Sequence, residues 1–285
     1  MDDHKFINEI LTEIEPQNTF YIDIGAGGRT NIPQEFLNSA DLAIFCDGPG
    51  RPPPHARNAQ ILSFAKPWTQ ENITSKTVFV AEYITPLNVK ELFNNITTRR
   101  DPRMVDIDVD GYDFFILESL LEEYTPSIIM IEINEKIPPP ISFSVKYSPT
   151  YQHDGTHFFG TSLTKVYDFL KDRYDLVHVA WNNAYFVLKE KNVKMTTGLP
   201  YHAYTDVEAY DTFYRNRNWE ESLAHNRNMA PMLTLPTPEA CKFLRDFFEQ
   251  ANNSGCTKPG GCPPHTRDEY ELYVMADYEL SGNKY

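Results

Sequence analysis

Residues 18–29, which read Asn-Thr-Phe-Tyr-Ile-Asp-Ile-Gly-Ala-Gly-Gly-Arg, constrain the fold more than any other stretch. Phe20, Tyr21, Ile22 and Ile24 form a short apolar run of the kind expected in a buried strand. The run stops at Gly25, Ala26, Gly27 and Gly28, and Ile32, Phe36 and Leu37 beyond it could line one face of a helix. Glycines at a strand-to-helix turn accept positive φ and let the backbone approach a ligand closely. A second apolar run, Leu42 to Phe45, leads to Asp47. In doubly wound folds an acid at the end of the second strand, roughly 20 residues after the glycines, hydrogen-bonds ribose hydroxyls. Together the two features predict an α/β fold with a nucleoside site.

A chain of 285 residues can hold one large core, or a main domain with an appendage. Its 41% hydrophobic and 13% aromatic content is that of a folded chain rather than a disordered one. The formal charge of −14 speaks against nucleic-acid partners and suits neutral or cationic small molecules. Cys46, Cys241, Cys256 and Cys262 are too few for a disulfide scaffold. The spacing of Cys256, Cys262 and His265 matches no standard zinc site. Met1-Asp2-Asp3-His4 is acidic and shows no signal peptide. No apolar run reaches the ~20 residues that span a bilayer, so a soluble, cytoplasmic protein without a membrane partner is expected.

Taken in order, Phe6, Ile7, Ile10, Leu11 and Ile14 predict an amphipathic helix, ended by Pro16, that either packs on the sheet or covers the cleft. Gly48 to Pro54 suits only a loop at the carboxyl edge. Thr77 to Glu82 reads as the third strand, followed by Tyr83 and a helix carrying Val89, Leu92, Phe93 and Ile96. Residues 104–113 alternate Val105, Ile107 and Val109 with Asp106, Asp108 and Asp110. Carboxylates so close repel one another unless a cation, hydrogen-bond donors or a proton offset the charge, which marks Asp108 above all as functional. The fifth strand ends in Glu132 and Asn134, and Pro138 to Pro140 breaks the chain. A loop-like stretch, 147–160, then carries Tyr147, His153 and His157. After one more helix, residues 174–179 and 184–188 read as a closing antiparallel pair around Trp181, Asn182 and Asn183. The prediction is a Rossmann-like, seven-stranded, mostly parallel sheet with a terminal antiparallel pair, occupying residues 1–190. Residues 191–285 read as a mainly helical or irregular extension with one amphipathic helix (Ala240, Phe243, Leu244, Phe247, Phe248). The extension suits a lid, a packing extension or the contact of a homo-oligomer, and its aromatic belt, Tyr201, Tyr204, Tyr210, Phe213, Tyr214 and Trp219, could stack on a sugar or peptide acceptor but is better explained by packing onto the main domain.

Asp23-Ile24-Gly25-Ala26 resembles the first motif, D-I-G-A-N-x-G, of the FkbM-like branch of S-adenosylmethionine-dependent methyltransferases, with Gly27-Gly28-Arg29 in place of its last residues. Asp106 to Gly111 resembles the branch's K-I-D-V-E-G, with Asp106 where lysine is usual. Residues 85–88, 131–134, 159–163 and 183–187 look like a subgroup of that branch, and the likeness spans roughly residues 18 to 190. The resemblance implies S-adenosylmethionine as cofactor and O-methylation of a small-molecule, sugar or natural-product-like acceptor. It places Gly25, Ala26, Gly27 and Gly28 under the methionine and ribose, Asp23 at the ammonium group, Asp47 at the ribose diol, and Glu82 and Tyr83 beside adenine. Asp106 and Asp108 would then face the reacting centre. A hydroxyl acceptor needs a base, for which Asp108, Asp110, Glu132, His153 and His157 are candidates, with Asn134, Tyr147 and His153 toward the acceptor. Some related sugar O-methyltransferases hold a divalent ion such as magnesium near this edge; Asp108, Asp110 and Glu132 offer oxygen ligands, although no tight spacing demands one. Two alternatives are a nicotinamide-dependent oxidoreductase, which the missing G-x-G-x-x-G disfavours, and a binding protein that kept the fold without turnover.

Overall fold

A computed structural model describes residues 3–27, 30–49, 52, 54–62, 70–153, 155–215, 227–250 and 264–274. The apolar runs become strands and the 3.6-period segments become helices. In chain order they are α1 (Asp3–Glu13), β1 (Phe20–Ile24), α2 (Gln34–Asn38), β2 (Leu42–Asp47), β3 (Gln60–Leu62), β4 (Thr77–Ala81), α3 (Val89–Ile96), β5 (Met104–Ile107) and α4 (Asp113–Leu120). There follow β6 (Ile128–Glu132), β7 (Ile141–Val145), α5 (Leu163–Leu170), β8 (Tyr174–Ala180), β9 (Asn183–Leu188), α6 (Asp206–Ala209), α7 (Thr237–Phe248) and β10 (Tyr270–Val274).

One sheet of eight strands has the order β3-β4-β2-β1-β5-β6-β9-β8. Its members pair in parallel as far as β6, and β9 is antiparallel to both neighbours. The seven predicted strands are all present in an α/β, Rossmann-like sheet. The additional β3 has three residues at the sheet edge, with Ile61 exposed, and is too short to show a period. α2 has only five residues, because Pro33 delays its start beyond the glycine turn.

Period-two alternation sends successive side chains to opposite faces. Phe20, Ile22, Ile24, Val105, Ile107, Ile129 and Ile131 face α3, α4 and α5. Tyr21, Ala43, Phe45, Met104, Met130 and Tyr185 face the other way, with α1. All five apolar residues predicted for the α1 face are buried, so this helix packs on the sheet; each such side chain contributes about 2 kcal/mol. The buried Arg103 donates to the Ile14 carbonyl at 2.9 Å and to the Tyr21 hydroxyl at 3.0 Å, tying the end of α1 to β1.

Residues 201–214 also lie against the main sheet. Tyr201 packs with Phe6, the Tyr204 amide donates to Leu176, and Tyr210 and Tyr214 are buried in the core. A second, smaller sheet pairs β7 with β10, and α7 packs beside it. Phe143 lies at its centre among Phe158, Phe248 and Tyr270. Directly after the chain break at Pro138 to Pro140, Ile141, Phe143 and Val145 alternate with Ser142 and Ser144 and form a strand that the predicted set of seven does not include. Trp219, Cys256 and Cys262 lie outside the described residues.

Candidate functional site

The same alternation places a row of polar residues on one face. Asp23 is opposite Phe45 and Asp106, Asp106 is opposite Met130, and Glu132 is opposite Asn183. All belong to the α1-side face, and Asp47 and Asp108 continue it by parity at the carboxyl ends of β2 and β5. Here β1 is followed by β2 on one side while the chain crosses back from β4 to β5 on the other, and such a switch point is where open α/β sheets bind ligands.

The first turn is fixed by backbone contacts. Gly25 has φ +95°, and its amide and that of Ala26 both donate to the Cys46 carbonyl at 2.9 Å. A Cβ on Gly25 would sit 1.6 Å from the Asp108 carbonyl oxygen, so only glycine fits. Asp113 organises the next loop: its carboxylate accepts from the Val109 amide at 2.7 Å and the Gly111 amide at 2.9 Å. Tyr151 adds a hydroxyl bond to the Asp110 carbonyl at 3.0 Å. Asn88 holds the loop after β4, accepting from the Thr85 amide at 2.7 Å and donating to the Tyr83 carbonyl at 3.0 Å.

Between these loops is an open cleft of about 220 Å³, lined by Gly25, Gly27, Asp47, Glu82, Tyr83, Asp108, Asp110 and Tyr112, among others. The structure therefore brings together the predicted glycines and most of the predicted acids. Asp23 and Asp106 lie behind the cleft, almost fully buried. Asn31 donates to Asp106 Oδ2 at 3.0 Å, whereas Asp106 Oδ1 and Asp23 Oδ2 have no partner among the described residues. Tyr147 stands edge-on to Tyr112 at 5.0 Å, beside the cleft. His153 is 3.4 Å from Asp110. Gly28 lies outside the described residues.

Other predicted residues are placed elsewhere. The His157 ring faces Asn228 at 3.1 Å and Phe247, away from the carboxylates. Asn134 is fully buried and uses its amide on the His157 and Phe159 carbonyls at 2.9 and 3.1 Å, which makes it a support for that loop. Asp113, Asn31, Asn182 and Asn183 were not singled out from the sequence as site residues. Their signal is only positional, since asparagine and aspartate in turns read as caps and turns. A larger cavity of about 410 Å³ near the amino end of β4, lined by His55, Arg57 and Lys76 among others, contains none of the predicted residues.

Burial, then the charges of Asp108 and Asp47, lift Asp23 to about 7 against a hydrogen bond from Thr30. Burial and the Asp110 charge lift Asp108 to about 6. Asp106 and Glu132 are raised well above the carboxylate range by burial and by their acidic neighbours. Asp110 alone is lowered, chiefly by its hydrogen bond to His153. The described residues thus hold more carboxylates than can ionise together at neutral pH, a surplus that fits a positively charged ligand.

No protein-family model matches the chain, and no curated protein compared with it matches.

Proposed function

We propose that this protein is an S-adenosylmethionine-dependent methyltransferase that transfers the methyl group to an oxygen of a small acceptor. The observation that carries this reading is the sign of the cleft. Asp47, Glu82, Asp108 and Asp110 line it, and no lysine, arginine or histidine does so among the described residues. A sulfonium cofactor brings positive charge, whereas a nicotinamide dinucleotide brings an anionic pyrophosphate. At about 5 Å and an effective dielectric constant near 20, one pair of unit charges is worth about 3 kcal/mol, so the sign favours the sulfonium over the pyrophosphate. The reversed β9 between β6 and β8 also departs from the strand order 3-2-1-4-5-6 of dinucleotide-binding sheets.

The cofactor, when bound, supplies a methyl group open to in-line attack. Gly25 and Gly27 would leave room for it against the backbone, Asp47 would accept from its ribose, and Asp47 and Glu82 at the cleft would offset its charge. Asp108, with a carboxyl near 6, is suited to take the proton from an acceptor hydroxyl. His153 and Asp110 form a second pair for that proton.

Isothermal titration with S-adenosylhomocysteine tests the reading. Binding is expected, with Asp47→Ala weakening it about tenfold or more through loss of a charge-assisted hydrogen bond. Incubation with S-adenosylmethionine and a metabolite extract should then yield a product heavier by one CH2. Binding of NADH in preference to S-adenosylhomocysteine, or of neither, would refute the reading.

A further inference from the structure

We infer that the cavity at the amino ends of β2 and β4 is a second binding site, for a small organic anion of the phosphate monoester class. Its volume of about 410 Å³ falls within the roughly 300–1,000 Å³ usual for small-molecule sites. It shares no lining residue with the acidic cleft, so it stands whatever the cleft binds.

The floor is apolar. Leu37, Ala40 and Phe45 are buried there on the α1-side face of the sheet. The short turn Pro54–Ala56 brings His55 against this floor, its ring tilted on Phe45 with centroids 5.0 Å apart. Burial lowers the His55 imidazole from its usual 6.5, so the ring is uncharged at neutral pH. Its Nε2 has no hydrogen-bond partner among the described residues, and buried polar atoms almost always have one.

The rim is cationic. Arg57 follows the turn, Lys76 precedes β4, and both line the cavity, whereas no aspartate or glutamate does so among the described residues. That sign is unusual in a chain with a formal charge of −14, and it is opposite to that of the cleft. Arg57 has no ion pair among the described residues. Lys76 is 3.7 Å from Asp41, but both side chains are exposed, and Asp41 also accepts from the Thr19 hydroxyl at 2.9 Å. Exposed pairs of this kind contribute little, so a ligand can take the ammonium group.

The number of donors favours phosphate over carboxylate. A carboxylate brings two oxygens and one charge, whereas a phosphate monoester brings three oxygens and a charge near −2. Two permanent cations match that charge, and the guanidinium fork suits its oxygens. Asn58 adds a neutral donor at the rim, while Gln34 and Asn38 are bonded to each other at 3.0 Å. The organic part of the ligand would lie on Leu37 and Phe45.

The test titrates the full chain with phenyl phosphate by calorimetry at about 0.15 M salt, where general surface attraction is screened. One phenyl phosphate per chain should bind saturably, and benzyl alcohol, which has the ring without the charge, should not. Binding should weaken at least fivefold in Arg57→Gln, and further when Lys76→Gln is added, through loss of charge-assisted hydrogen bonds. Both residues are exposed, so the variants should fold, which thermal melting checks. Lys242→Gln removes the same charge from the exposed surface of α7 and should bind as the parent does. Absence of saturable binding, equal binding of benzyl alcohol, undiminished binding in the folded double variant, or an equal loss in Lys242→Gln would overturn the site. Titration with S-adenosylhomocysteine reports on the cleft alone, so either reading can fail without the other.

Discussion

Replacing Asp23 with Asn should stabilise the ligand-free protein at neutral pH and leave it unchanged in acid. Asp23 is 3% exposed, sits opposite Asp106, and has its carboxyl raised from 3.8 to about 7, first by burial and then by like charges. A folded-state value above the unfolded one means that the native chain keeps the proton longer as pH rises. Stability from this group is therefore full below pH 3.8 and is lost as pH climbs toward 7. A displacement of that size corresponds to roughly 4 kcal/mol. Asp106 and Asp108 titrate together with Asp23, so a single substitution should recover only part of this, about 1–3 kcal/mol. With about 2 °C per kcal/mol for a chain of this size, the variant should melt about 2–6 °C higher than the parent at pH 7.5. At pH 4 the two should coincide. Scanning calorimetry in EDTA at pH 4, 5.5 and 7.5 measures the difference directly. An advantage that did not vary with pH, or a variant less stable at pH 7.5, would refute the account of the carboxylate row.

Three further outcomes are expected. Gly25→Ala should cost about 4 kcal/mol or more or abolish folding, because the new Cβ would fall 1.6 Å from a backbone oxygen; a urea midpoint close to that of the parent would count against the contact. His157, lowered from 6.5 to about 4 by burial and then by Lys136, contributes stability that is full above pH 6.5 and is lost on acidification toward pH 4. Roughly 3 kcal/mol of the difference between the parent and His157→Gln should disappear over that range in urea unfolding, and a pH-independent difference would exclude a buried neutral imidazole. Phe143→Ala should destabilise the smaller sheet by about 3–5 kcal/mol and open residues 264–274 to limited proteolysis, while S-adenosylhomocysteine binding persists. Loss of that binding would show that the smaller sheet supports the cleft.

The main sheet was legible because its strands carry strong local signals: apolar runs at 20–24 and 128–132, and alternation at 104–110. β7 was harder to see, since its partner β10 lies far along the chain, and two short strands depend on tertiary partners, here each other, α7 and residues 160–162. The predicted acids converge because one side-chain parity runs across β1, β2, β5 and β6, and parity follows from sequence once register is known. Asn183 escaped notice for the same reason in reverse. Its position opposite Glu132 depends on β9 entering the sheet backwards, which no local pattern encodes. His157 and Asn134 show the limit of reading a loop from composition, because their orientation is set by residues 157–161 and by Asn228, distant in sequence.

The contact between Gly25 and the Asp108 carbonyl has a consequence for how such a protein can vary. No side chain lies between the two loops, so neither can move without displacing the other's main chain. A chimera that imported residues 105–113 from a distant sequence would have to import its own opening turn as well. The two segments should therefore be exchanged as a pair in any recombination library, and single-segment swaps should fail at folding before their chemistry can be assayed.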